Sequence, residues 1–136
     1  MLKYMLDTNI CIFTIKNKSN EVREAFNRYH GQLCVSVVTL MELIHGAEKS
    51  ASPEKNLGVV EGFVARLDVL DYNREAAAHS GQLRAELAKT GKPIGPYNQM
   101  IAGHARSQGL ILVTHNLREF DRVAGLRVED WVQLGR

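Results

Sequence analysis

Short apolar runs alternate with helix-compatible stretches along the chain, and most runs give way to an acidic or amide residue. Tyr4-Met5-Leu6 stops on Asp7, and Leu33-Cys34-Val35-Ser36-Val37 is a second run rich in strand formers. Leu67 to Leu70 predicts a third strand, and Gly125 to Trp131 a last edge strand. Leu110-Ile111-Leu112-Val113 is continuously apolar, the mark of a strand buried on both faces. Helices are predicted from Thr8 to about Lys16 and from Asn20 to about Tyr29, with Asn17-Lys18-Ser19 between them. Thr39 is predicted to open a third, with apolar positions 40, 43, 44 and 47 on one stripe. Further helices follow from Pro53 to about Arg66 and from Asn73 to Lys89, the second stopped by Gly91 and Pro93. Gly95-Pro96 starts another that runs to Ser107, and a short one covers Leu117 to Asp121. Strands alternating with helices predict an α/β fold, a mainly parallel sheet of four to five strands covered on both faces. No internal repeat or linker interrupts it, so residues 1–136 are expected to form one domain.

Size agrees: 136 residues suffice for a substantial core. The formal net charge of +2 announces no nucleic-acid binder, although it permits a local basic face. Cys11 and Cys34 are far apart, with no Cys-x-x-Cys and no Cys/His cluster, so buried free thiols are expected rather than zinc. Asp7 interrupts the first apolar run too early for a signal peptide, and no run reaches transmembrane length. A cytoplasmic protein without membrane contact is the expectation.

Asp7, Glu42, Asn98 and Glu119 each fall just after a predicted strand or near a helix start. A parallel sheet gathers such positions at its carboxyl edge. Carboxylates gathered there repel one another, and a hard divalent ion with oxygen ligands relieves them. Each residue also has a plain structural reading. Asp7 is a good helix N-cap, and Thr39-x-x-Glu42 and Asn116-x-x-Glu119 resemble capping boxes. Asn98 can satisfy first-turn amides. Spacing alone leaves the two readings open.

Met5-Leu6-Asp7-Thr8-Asn9, Ser36-x-x-Thr39-Leu40-Met41-Glu42-Leu43-x-x-Gly46, Ile94 to Ala102 and Leu112-Val113-Thr114-x-Asn116 occur in that order along nearly the whole chain. Together they resemble the PIN-domain ribonucleases, and more closely the VapC toxins of bacterial toxin–antitoxin pairs. The resemblance implies a three-layer α/β/α sandwich and a Mg²⁺- or Mn²⁺-dependent endoribonuclease held inactive by a cognate VapB-type antitoxin. It places catalytic acidic positions at Asp7, Glu42, position 98 and Glu119, with the metal on Asp7 and Asn98. Asp121 is a further acidic position nearby, and Thr114 would orient a carboxylate or water. It also implies a homodimer, operator DNA bound only through the antitoxin complex, and initiator tRNA cut in the anticodon loop. The family carries Asp where this chain has Asn98. Loss of that charge is expected to weaken metal binding or rate by about 30–100-fold, on the order of 2–3 kcal/mol, as in an engineered Asp→Asn change that lets a toxic enzyme be produced.

Arg84, Lys89 and Lys92 precede the Asn98 helix and suit either an RNA backbone or a solvated helix face. None of His30, His45, His79, His104 and His115 is expected to act in catalysis. His104 is expected beside Tyr97 and Ile101, and Phe120 and Trp131 in packing. Two other readings compete. A catalytically dead chain would only bind its antitoxin. A receiver-type phosphoacceptor domain needs an acidic pair after the first strand and a late Lys, but Thr8-Asn9 follows Asp7 and no Lys follows Lys92.

Overall fold

The computed structural model describes residues 1–16 and 19–132. Asn17 and Lys18 of the predicted Asn17-Lys18-Ser19 connection lie outside the described residues, and Ser19 caps the helix that follows. The elements are β1 (Tyr4–Leu6), α1 (Thr8–Ile15), α2 (Asn20–Arg28), β2 (Leu33–Ser36), α3 (Val37–Glu48), α4 (Pro53–Val64), β3 (Asp68–Leu70), α5 (Arg74–Thr90), α6 (Pro96–Ser107), β4 (Ile111–Val113), α7 (Leu117–Phe120) and β5 (Val128–Glu129). The strands form one sheet in the order β3-β2-β1-β4-β5. Every neighbouring pair is parallel. This is the α/β sandwich expected from the pattern, with the five strands all parallel.

Alternation along the strands sends side chains to two cores. Tyr4, Leu6, Val35, Ile111 and Val113 face α1, α2 and α4, where Ile10, Phe26 and Val60 close the layer. Met5, Cys34 and Leu112 face α5 and α6, meeting Leu83, Leu87, Ile101 and Ala105. The uniform burial of β1, β2 and β4 follows from having helices on both sides. Cys11 and Cys34 are free and buried. Burial pushes both thiols up, Cys34 to about 12.

Two local details position the site. Helix α5 stops at Gly91, which takes φ +69° and closes the end through Lys92 N–H to Leu87 and Gly91 N–H to Ala88. Helices α5 and α6 cross in close contact: a Cβ on Gly103 would stand 2.6 Å from the Ser80 backbone. The start of α3 departs from expectation. It begins at Val37, and Ser36 is the N-cap, its Oγ accepting from the Val38 amide at 3.1 Å. Two β-branched valines disguise the first turn, so the sequence points to Thr39 instead. The last strand is shorter than Gly125–Trp131, pairing only at Val128 and Glu129.

Candidate active site

The carboxyl ends of β1, β2 and β4 lie side by side, and the residues leaving them build one cluster. Asp7 follows β1 and is the N-cap of α1, its Oδ1 accepting from the Ile10 amide at 2.8 Å. The capping role is real, yet it leaves the charge buried at 1% exposure. Burial pushes the Asp7 carboxyl up to about 6, and the negative charges of Glu42 and Glu119 add to the rise. A side-chain hydrogen bond with Thr114 and the Ile10 amide oppose it. Thr114, fully buried after β4, also accepts from the Asn116 amide at 2.9 Å.

Glu42 stands on α3 and accepts from the Thr8 hydroxyl at 2.6 Å. Thr8 also lies 3.2 Å from the Thr39 hydroxyl. The Thr39-x-x-Glu42 capping box is therefore absent: Thr39 is inside the helix and tied to α1, and Glu42 bonds across to α1 rather than back to an amide. On α7, Glu119 is held by three donors: the Gly95 amide at 3.1 Å, Asn98 Nδ2 at 3.0 Å and Asn116 Nδ2 at 2.7 Å. Partial burial raises the Glu119 carboxyl, but these bonds and the Arg122 charge outweigh it and hold it below the usual range. Asn98 thus serves Glu119 and does not cap α6, whose first turn has Pro96 and no side-chain cap. Asn116 likewise makes no cap bond to α7, and its amide goes to the Glu119 side chain.

Glu42 and Glu119 act on Asp7 and Asn98 bonds Glu119, so the four side chains share one cluster, drawn from the end of β1, the middle of α3, the first turn of α6 and α7. Asp121 is exposed at the end of α7 and is not among the charges acting on Asp7. Thr8, Thr39 and Asn116 complete the hydrogen bonding; the sequence offers Thr39 and Asn116 only as capping-box residues and gives Thr8 no separate role. His104, expected beside Tyr97 and Ile101, is 1% exposed, whereas Tyr97 is 48% exposed. The His104 Nδ1 pairs with Ser36 Oγ at 2.8 Å and its ring meets Tyr72 edge-on. Burial holds the imidazole below its usual value. Arg84, Lys89 and Lys92 are exposed.

Three carboxylates and the amide oxygen of Asn98 make an oxygen donor set, which suits a hard divalent cation. Among the described residues no three His, Cys, Asp or Glu side chains form a ready metal cage. Thr8 draws Glu42 aside and three donors occupy Glu119, so an ion would rest on one or two carboxylates with waters, as Mg²⁺ does.

Residues 4–126 match the PIN domain family. A protein of Shigella flexneri, "tRNA(fMet)-specific endonuclease VapC", is 70% identical over 131 residues, covering 96% of this chain and 99% of that one. The chain is a PIN-domain protein of the VapC family. "Ribonuclease VapC2" of Haemophilus influenzae is 56% identical over 132 residues, covering 97% of this chain and 100% of that one. The crystal structure of DNA-bound VapBC from Salmonella typhimurium superposes with a TM-score of 0.94 at 66% identity, covering 96% of this chain and 99% of the other. Membership of this family displaces the receiver-type reading. Among the described residues, no helix is long and apolar enough to cross a membrane.

Proposed function

We propose that the chain is the toxin of a VapBC-type pair, a divalent-metal-dependent endoribonuclease that cuts initiator tRNA, weakened here by Asn98. The observation that carries the reading is Asp7: a buried carboxylate with two more negative side chains acting on it, at the sheet edge where ligands of parallel α/β folds bind. Asp7 and the Asn98 side-chain oxygen would hold the ion, with Glu42 and Glu119 beside it. A bound ion supplies a nucleophilic water at neutral pH and offsets charge on the phosphodiester. Thr114 and the Ile10 amide orient Asp7, and Thr8 keeps Glu42 turned toward α1. Asn98 replaces a repelling carboxylate with a donor, so Glu119 is satisfied without a cation.

The antitoxin has a fitting surface. An apolar groove of about 420 Å³ lies between α1, α3 and α4, lined by Ile12, Leu43, Val59 and Val60 and, among its polar residues, by Glu42. A helix or extended tail laid there reaches the acidic cluster, where a basic side chain would neutralise it. The relatives solved as VapBC complexes, two of them bound to DNA, support this pairing. Operator binding through the antitoxin, a homodimeric toxin and a cytoplasmic setting belong to the same reading.

The test restores the charge. Asn98→Asp should cut initiator tRNA about 30–100-fold faster than the chain as it stands, with activity lost in a chelator and regained with Mg²⁺ or Mn²⁺. Equal rates would refute the impairment. No cleavage by either form would refute the nuclease reading.

A further inference from the structure

The three residues that follow β4 each engage a different carboxylate. Thr114 bonds Asp7 and Asn116 bonds Glu119. Between them His115 turns away, setting its Nδ1 3.0 Å from Asp130 Oδ2. Asp130 is 6% exposed, and its other oxygen accepts from the Val132 amide at 2.9 Å. The His115 side chain stays 43% exposed. Its ring leans on Phe13 of α1, with centroids 5.9 Å apart and planes at 55°. Phe13 lies off the Thr8, Ile12 and Ile15 stripe, so this ring pair and the apolar groove flank α1 on different sides.

Burying a carboxylate is costly unless a partner repays it. Here the partner is a half-exposed ring, which gains a fixed orientation at the rim of the acidic cluster. We propose that His115 is a stacking platform for an unpaired RNA base next to the scissile phosphate, with Asp130 and Phe13 as positioning residues. This rests on the endoribonuclease reading. Unpaired RNA bases stack on histidine and other aromatic rings, and a ring already held on one edge and one side loses little freedom when a base settles on it. The occupant is a base rather than a phosphate because the His115–Asp130 pair carries at most zero net charge and offers an anion no attraction.

The chain as it stands, carrying Asn98, suits a binding test because cleavage is slow. Fluorescence anisotropy with a fluorescein-labelled RNA hairpin bearing an unpaired loop reads the affinity. His115→Ala should weaken binding about 10-fold, and His115→Phe should retain most of it because the flat face survives. Abasic substitutions moved through the loop should find one position that weakens the unaltered chain as much and His115→Ala no further. Should His115→Ala fail to fold, His115→Asn, which lacks the ring but can still bond Asp130, takes its place in the same abasic comparison. RNA binding that is indifferent to His115 and to every abasic position would overturn the platform alone. A loss at His115 that no abasic position cancels would mean a backbone contact and would also overturn it. If the unaltered chain bound no RNA, the nuclease reading itself would fall.

Discussion

Asp7 and Glu119 belong to one cluster, yet the protein pushes their carboxyls in opposite directions. Asp7 is buried, has few donors and feels two other negative charges, and its carboxyl rises to about 6. Glu119 is partly exposed and ringed by neutral donors, and its carboxyl falls. The difference is first one of burial: desolvation dominates at Asp7, whereas at the more exposed Glu119 three hydrogen bonds and the Arg122 charge outweigh it. Asp7 remains in want of a cation, whereas Glu119 has been satisfied by amides, one of which belongs to Asn98.

The strongest way to break this contrast is Asn98→Asp. Besides the 30–100-fold gain in cleavage, it sets a carboxylate against Glu119, and two such groups in contact cannot both stay ionised at low cost. Thermal melts in chelator should fall, and added Mg²⁺ should restore them. Next in size is Asp7→Asn. A carboxyl raised from 3.8 to about 6 by folding stabilises fully below its unfolded value, and that contribution is lost as pH rises through about 6. At neutral pH the ionised group thus costs about 3 kcal/mol. Asn keeps the helix cap, so Asp7→Asn should gain about 2–3 kcal/mol at pH 7 and nothing below pH 4, read from urea melts at both.

Thr114→Val sharpens the Asp7 side. It removes the opposing hydrogen bond and the acceptor for the Asn116 amide, and should cost about 1–2 kcal/mol while carrying the Asp7 titration higher, which carboxyl NMR would follow. Asn116→Ala does the same for Glu119 and should cost about 1 kcal/mol. Glu119 has a lowered carboxyl, so its contribution is present above the unfolded value and is lost as pH falls through the folded one. Without Asn116, that loss should begin at a higher pH in acid-unfolding curves.

Much of this could be read from the chain. The continuous run after Gly109 and the run that halts on Asp7 fix two central strands, because only helices on both faces tolerate such uninterrupted apolarity. The parallel sheet then gathers Asp7, Glu42 and Glu119 without further information. What escaped was hydrogen-bond direction. Thr39 and Glu42 have the spacing of a capping box, but the true cap is Ser36, and Thr8, distant in sequence, takes the Glu42 carboxylate. Asn98 could be read as a cap or a ligand, and only the fold brings it against Glu119. His115 and Asp130 are fifteen residues apart, and no local period links them.

Gly103 has no side chain to offer the chemistry, yet it stands on α6, the helix that carries Asn98, and sets how closely that helix packs. With no side chain there, α6 rests on the Ser80 backbone of α5, and Asn98 rides near the forward end of that same rod. A bulkier residue would lift the rod, and the swing would be felt at its tip. The spacing of the acidic pocket is thus governed from behind, by a contact that selection for chemistry would never see directly.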